Sequence, residues 1–260
     1  MVFNDNLARD SEYNNILNEY SNVIKMERHN NTLRRKQEII GRNSTEVYPF
    51  KTEEEIKAMI NVMDKHISEA KTEYNKRRWY RNKLIFLLGI NLGIRGSDLC
   101  ELRWSDIFYN NFQFKEKSNI QPIKTRNTTG RYVSLFFNDT AKNAINEYIS
   151  LYPVKDINDY VFESKRTSDN GSTHIDRVSI GRMLKSVAKE CGIKRNINSH
   201  SLRKTFGYQV WHNADNKNSA LSLLQCIFGH SSQKVTQRYI GIQDEELMEV
   251  YNSLDIQLNL

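Results

Sequence analysis

Only three prolines interrupt this chain, Pro49, Pro122 and Pro153, and between them apolar residues return every third or fourth position. That period marks helices burying one face. Proline removes a helical donor and belongs at the joints. The clearest segment opens with the capping box Thr52-Glu53-Glu54-Glu55 and continues through Ile56, Met59, Ile60, Met63 and Ile67. Further helices are predicted over about 76–92, 139–151, 177–191, 202–212 and 220–228. Gly192 ends one of them, and Gly229 ends the segment carrying Ala220, Leu223, Leu224 and Ile227. Short strands are expected near Phe112–Phe114, Ile120–Lys124 and Tyr132–Phe136. The fold class is therefore mainly α with a small antiparallel β-sheet.

The chemistry lies in four short stretches: Gly93-Ile94-Arg95-Gly96-Ser97-Asp98, His200-Ser201-Leu202-Arg203, Gly229-His230-Ser231-Ser232, and Tyr239. Each alone is ordinary: a capping arginine, a helix face, a turn, a packed aromatic. Together they suit attack by a phenolic oxygen on a phosphodiester. The five-coordinate state gains negative charge on its non-bridging oxygens, and planar guanidiniums bind such oxygens through paired hydrogen bonds. Each preorganised donor is worth roughly 3 kcal/mol of barrier. A tyrosine, with a reference pKa of about 10, needs a base or nearby positive charge, and histidine suits the base. His200 and Arg203 stand three apart and share a helix face, as do Arg95 and Asp98, whose carboxylate suits holding the local turn or a basic neighbour. Ser231 or Ser232 is expected to cap a short helix, with His230 at the junction and Tyr239 just beyond it.

In this order the stretches resemble the tyrosine recombinases, the phage integrases and Xer-type enzymes that cut and rejoin DNA. The likeness runs from about Tyr48 onward. It includes Asp98-Leu99-Cys100-Glu101-Leu102-Arg103-Trp104, Ser199-His200-Ser201-Leu202-Arg203-Lys204-Thr205-Phe206 and Thr236-Gln237-Arg238-Tyr239. The resemblance implies that Arg95 and Arg203 clamp the scissile phosphate, that His200 takes the phenolic proton, and that His230 hydrogen-bonds the phosphate. Tyr239 would form a 3′-phosphotyrosyl link, with no cofactor, metal or ATP. The family also uses a hairpin lysine as general acid. Lys124, at the predicted strand end before the turn-like Asn127–Gly130, is the candidate, and Lys117 is its rival. The resemblance leaves room for two other readings, a DNA-binding regulatory or accessory protein and a type IB-like topoisomerase. Its implied partners are double-stranded DNA with a specific target site and further copies of the chain, a homo-tetramer on paired sites and a monomer in free solution.

Other features bound the reading. Lysine and arginine outnumber aspartate and glutamate 38 to 31, a formal charge of +7 that weakly favours a polyanionic partner. Arg77, Arg78 and Arg81, interleaved with Trp79 and Tyr80, and Lys204 beside Arg203 are candidate DNA contacts. Cys100, Cys191 and Cys226 form no Cys-x-x-Cys pair and read as reduced core residues. No metal-ligand spacing joins the histidines. The N-terminus lacks signal-peptide character, and the apolar run 84–94 is too short to span a bilayer, so a soluble, cytoplasmic protein is expected.

Residues 1–47 are expected to form a short helical extension, with helices over 12–24 and 31–40 and a linker at 41–45, and residues 48–260 the catalytic domain. That extension is shorter than the helical DNA-gripping domain usual in the family. A tail helix is expected over 243–256, opening on Asp244-Glu245-Glu246, with Leu247, Val250, Tyr251 and Leu254 on one face. By the resemblance this tail couples neighbouring protomers.

Overall fold

The computed structural model describes residues 46–164, 173–242 and 251. The chain divides between Glu46 and Val47, and every element below belongs to the second unit. The helices expected over 12–24 and 31–40, the linker, and the tail helix apart from Tyr251 lie outside the described residues.

Helix α1 (Glu53–Ser68) starts where Thr52 accepts the Glu55 N–H at 3.2 Å. The Glu55 carboxylate closes the same turn: it takes the Lys51 N–H at 3.0 Å and pairs with Arg195 at 2.5 Å. Helix α2 (Glu73–Leu92) begins three residues earlier than its apolar spacing suggested, because Thr72 caps it by accepting the Asn75 N–H. All five side chains from Leu84 to Leu88 are buried, so this half of α2 is apolar all round and packs against neighbours on several sides. Those neighbours are α1, α6 (Asp139–Leu151) and α8 (Ser199–His212).

After α2 come two short helices, α3 (Gly96–Cys100) and α4 (Trp104–Ile107), then a two-stranded antiparallel sheet. Strand β1 (Ser118–Ile120) pairs with β2 (Val133–Leu135) in the register Ser118↔Leu135, Asn119↔Ser134, Ile120↔Val133. Two predicted strands differ. Around Phe112 the chain turns at φ +60, and Phe114 makes a single bridge to Phe108. Beyond Ile120, Pro122 stands at the cap of a helical turn, α5 (Ile123–Arg126), so Lys124 sits on that turn rather than at a strand end. The Ile123 N–H explains why: it donates to Asp98 Oδ1 at 3.0 Å and is lost to any ladder.

Helix α7 (Arg177–Glu190), capped by Asp176, precedes α8, and α9 (Lys217–Phe228) and α10 (Gln233–Ile240) follow. The large core gathers around α2, while a smaller one holds Tyr208, Trp211, Leu221, Leu224, Phe228, Ile240 and Ile242. Helix α8 borders both. Gly207 permits that approach, since a Cβ there would lie 2.6 Å from Ile240 Cγ2 and 2.9 Å from the Phe228 ring. Helix α9 buries Ala220, Leu221, Leu224 and Phe228, and leaves Leu223 and Ile227 exposed. Cys226 shares that outward side, so it is an exposed thiol, whereas Cys100 is buried and Cys191 half-buried. Among the described residues no helix is long and apolar enough to cross a membrane.

Candidate active site

The site forms where three helix ends meet. Gly93 ends α2 at φ +62, and a Cβ on it would lie 2.3 Å from the Phe206 ring, so glycine alone lets the chain turn there. The turn delivers Arg95 to the N-cap of α3, half-buried, with Nη1 4.0 Å from Asp98 Oδ2. Asp98 is buried, and burial raises its pKa. By accepting the Ile123 N–H it also ties the Arg95 turn to the turn bearing Lys124.

Arg203 comes from α8 and is 4% exposed. Its Nη1 donates to the Gly93 carbonyl, its Nη2 to the Phe228 carbonyl at 3.2 Å, and its Cζ lies 4.3 Å from the Phe228 ring centroid. One guanidinium thus holds the C-terminal ends of α2 and α9 together, where exposed carbonyls favour a cation. Burial brings its pKa down to about 10, which leaves it charged at neutral pH.

Helix α9 ends at Gly229, with φ +67, and Ser232 caps α10 by accepting the Val235 N–H at 3.3 Å. His230 lies between these helices. Its ring meets Tyr239 edge-on with centroids 5.0 Å apart, and Phe228 packs 5.4 Å from the same tyrosine. Tyr239 is in the last turn of α10, inside the helix rather than beyond it, so its backbone is held by helical hydrogen bonds. Burial raises the Tyr239 pKa, and Arg203 and Arg95 pull against that rise. His230 Nδ1 lies 3.1 Å from the hydroxyl of the fully buried Thr236. Burial, with Arg203 and Arg95 behind it, lowers the His230 pKa, so this imidazole is neutral at pH 7.

His200 stands in the first turn of α8, where its N–H donates to Asn198 Oδ1 at 2.8 Å. Its Nε2 is 3.4 Å from Arg177 Nη1. A guanidinium only donates, so Nε2 presents its lone pair and the ring proton stays on Nδ1. Burial first, then Arg177, Arg203, Lys204 and Arg95, lower the His200 pKa. The result is a neutral imidazole among cations, which suits a proton acceptor.

Lys204 is buried, with Nζ 5.2 Å from the Tyr239 ring centroid. Lys124 is exposed on α5, which Asp98 holds at Ile123 and Glu101 holds through Arg126 Nη2 at 2.7 Å. Lys117, also exposed, is the residue before β1. Arg131, just before β2, donates to the Cys226 carbonyl and lies over Gly229, so the sheet side is pinned to the helix end beside His230. Arg77, Arg78 and Arg81 belong to the far end of α2, about 20 Å along its axis from Arg95 at 1.5 Å per residue.

The structure therefore brings Arg95, His200, Arg203, His230 and Tyr239 together, with Lys124 on the adjoining turn. Sequence reasoning missed Arg177, Thr236 and Arg131. Only Thr236 left a trace, inside Thr236-Gln237-Arg238-Tyr239. The other two act through contacts between segments far apart in the chain.

Residues 49–246 match the sequence model of the phage integrase family. A probable integrase/recombinase of Bacillus subtilis, YoeC, is 30% identical over 187 residues, covering 71% of this chain and 90% of that protein. The tyrosine recombinase XerC of Thermodesulfovibrio yellowstonii is 27% identical over 175 residues, or 66% of this chain and 54% of its own. Among solved structures, the XerA recombinase superposes with a TM-score of 0.55 at 23% identity, over 84% of this chain and 66% of that one. XerH bound to its palindromic difH substrate after cleavage gives 0.54 at 18% identity, over 81% and 55%. The chain thus spans nearly all of YoeC and little more than half of XerC or XerH.

Proposed function

Since the chain belongs to the phage integrase family, we propose that it is a site-specific DNA recombinase that cuts and rejoins strands through a 3′-phosphotyrosyl intermediate. The observation that carries this reading is that Arg203 lies 4.3 Å from the centroid of the Phe228 ring, against which His230 and Tyr239 both pack, while it also binds the Gly93 carbonyl at the turn that bears Arg95. Tyr239 Oη attacks phosphorus as the P–O5′ bond breaks. The phenolic proton passes to His200, and Lys124, or Lys117 in its stead, gives a proton to the departing O5′. Arg95, Arg203 and His230 hold the non-bridging oxygens as their charge grows. The phosphotyrosyl ester keeps the bond energy, so the 5′-hydroxyl of a partner strand reverses the step and seals the DNA without ATP or a metal.

For His230 to serve the phosphate it must donate from Nε2, which needs Nδ1 as the acceptor. The Thr236 hydroxyl, 3.1 Å from Nδ1, supplies that donor when its proton turns from the Ser232 carbonyl, to which it otherwise donates at 3.3 Å. The rest of the reading is an assignment of parts. Residues 48–260 form the catalytic domain, residues 1–47 a short extension, and the tail over 243–256 links protomers in a tetramer on paired sites. The protein works in the cytoplasm on double-stranded DNA.

The test is a suicide duplex nicked beside the cleavage site, incubated with protein in EDTA. Covalent DNA–protein adduct is expected. Binding without adduct on any nicked target would instead identify an accessory protein, and relaxation of a plasmid lacking a target site would identify a topoisomerase.

A further inference from the structure

One cavity lies away from Tyr239. It is a cleft of about 490 Å³ between the start of α2, the end of α6 and residues 153–164. That volume falls in the range of small-molecule sites. Its lining combines two chemistries: Arg77, Arg78, Arg81 and Lys155 supply cations, while Tyr74, Tyr148, Tyr152, Tyr160 and Trp104 supply flat apolar rings. Tyr74 and Leu151, both about half exposed, contribute apolar surface to that lining.

The charges do not balance. Asp159 and Glu163 are the carboxylates of the lining, against four cations, which leaves two positive charges. Arg77 already takes Glu163 at 3.9 Å and packs 5.3 Å from the Tyr152 ring centroid. Arg81 is mostly withdrawn from water, and no carboxylate among the described residues lies within ion-pair distance of it. Its Nη1 donates to the Glu163 carbonyl at 2.8 Å, and its Nε has no partner among those residues. Burial, with Arg78 and Arg77 repelling it, lowers the Arg81 pKa. Desolvating a guanidinium without a counter-ion is costly, and an arriving anion removes that cost.

We propose that this cleft binds a nucleoside monophosphate, its phosphate held by Arg78, Arg81 and Lys155 and its base against the exposed ring of Tyr74, since Arg77 and Arg103 already lie over the Tyr152 and Tyr160 rings. A phosphate monoester carries about −1.5 to −2 charge at neutral pH, which matches the two uncompensated positive charges. Guanidiniums bind phosphate oxygens in pairs, and a base covers flat aromatic surface that phosphate alone leaves wet. This site is independent of the strand-transfer chemistry at Tyr239.

Isothermal titration of the full chain with adenosine 5′-monophosphate tests it. Saturable one-to-one binding is expected, with adenosine and inorganic phosphate each weaker by at least about tenfold. Arg78→Gln, at an exposed position that leaves the fold intact, and Arg81→Gln should each weaken binding by a similar factor, whereas Arg95→Gln should leave it unchanged. Absence of saturable binding to the wild-type chain overturns the proposal. So does binding that survives Arg78→Gln and fails in Arg95→Gln, which would locate the nucleotide in the strand-transfer site. Displacement by target-free duplex DNA at equal phosphate concentration overturns it as well, because the arginines would then be backbone contacts.

Discussion

The core around α2 and the core beneath Tyr239 are built on different scales. Among the described residues the first gathers 31 buried apolar side chains and the second only seven. The large core fixes Arg95 through the end of α2 and His200 through the start of α8. The small one carries His230 and Tyr239. Between them runs Arg203, bonded to the Gly93 carbonyl on one side and the Phe228 carbonyl on the other. The proposed phosphate clamp thus rests on a deep frame, and the proposed nucleophile rests on a thin one that Arg203 itself holds in place. Stability and catalysis should therefore separate between the two regions.

The largest effect should come from breaking their joint. Arg203→Lys keeps a positive charge but cannot reach both carbonyls and a phosphate with a planar fork. Single-turnover cleavage is expected to fall by at least about 10²–10³-fold, and unchanged cleavage would show that the two regions need no joint. Next, Phe228→Ala and Met63→Ala compare the regions directly, since both side chains are fully buried. Each should cost roughly 2–5 kcal/mol by denaturant unfolding. Cleavage per folded molecule should drop with Phe228→Ala alone, because that ring lies beneath Arg203, His230 and Tyr239.

Thr236→Val sharpens the comparison within the small core. It removes the hydroxyl beside His230 Nδ1 while keeping the shape. Cleavage should slow about tenfold, the size of one lost hydrogen bond, with circular dichroism and DNA binding unchanged. The smallest effect concerns pH. Burial and neighbouring cations lower the His200 pKa, so its neutral, proton-accepting form persists below the ordinary value of about 6.5. The acid limb of the cleavage profile should therefore lie below 6.5. Arg177→Gln, which removes one of those cations, should move it upward while leaving the plateau rate within about threefold.

Much of this was legible because it is local. The capping role of Thr52, the glycine after Phe228, the face shared by His200 and Arg203, and the order of the four motifs all depend on neighbours within a few positions. Lys124 misled because the turn-like Asn127–Gly130 before the alternating Tyr132-Val133-Ser134-Leu135 reads as a hairpin with Lys124 at a strand end. Tertiary context decided instead, with Pro122 opening a helical turn and the Asp98 carboxylate, 25 positions away, taking the Ile123 N–H. The buried face of α9 was misread for a similar reason: apolar spacing allowed Leu223 and Ile227 or Leu221 and Phe228, and packing under α8 chose the second pair. Arg177 and Arg131 were invisible, since nothing local distinguishes a surface arginine from one resting on His200 or on the Cys226 carbonyl.

The central claim is that Tyr239 is the residue the two regions are arranged to activate. Trapping the protein on a nicked duplex, digesting the adduct and locating the DNA-bearing peptide by mass spectrometry tests this most directly. The account predicts one phosphotyrosyl peptide, containing Tyr239, absent from Tyr239→Phe protein that still binds the duplex. An adduct on Tyr251, or on any other tyrosine, or one that persists in Tyr239→Phe, would contradict it.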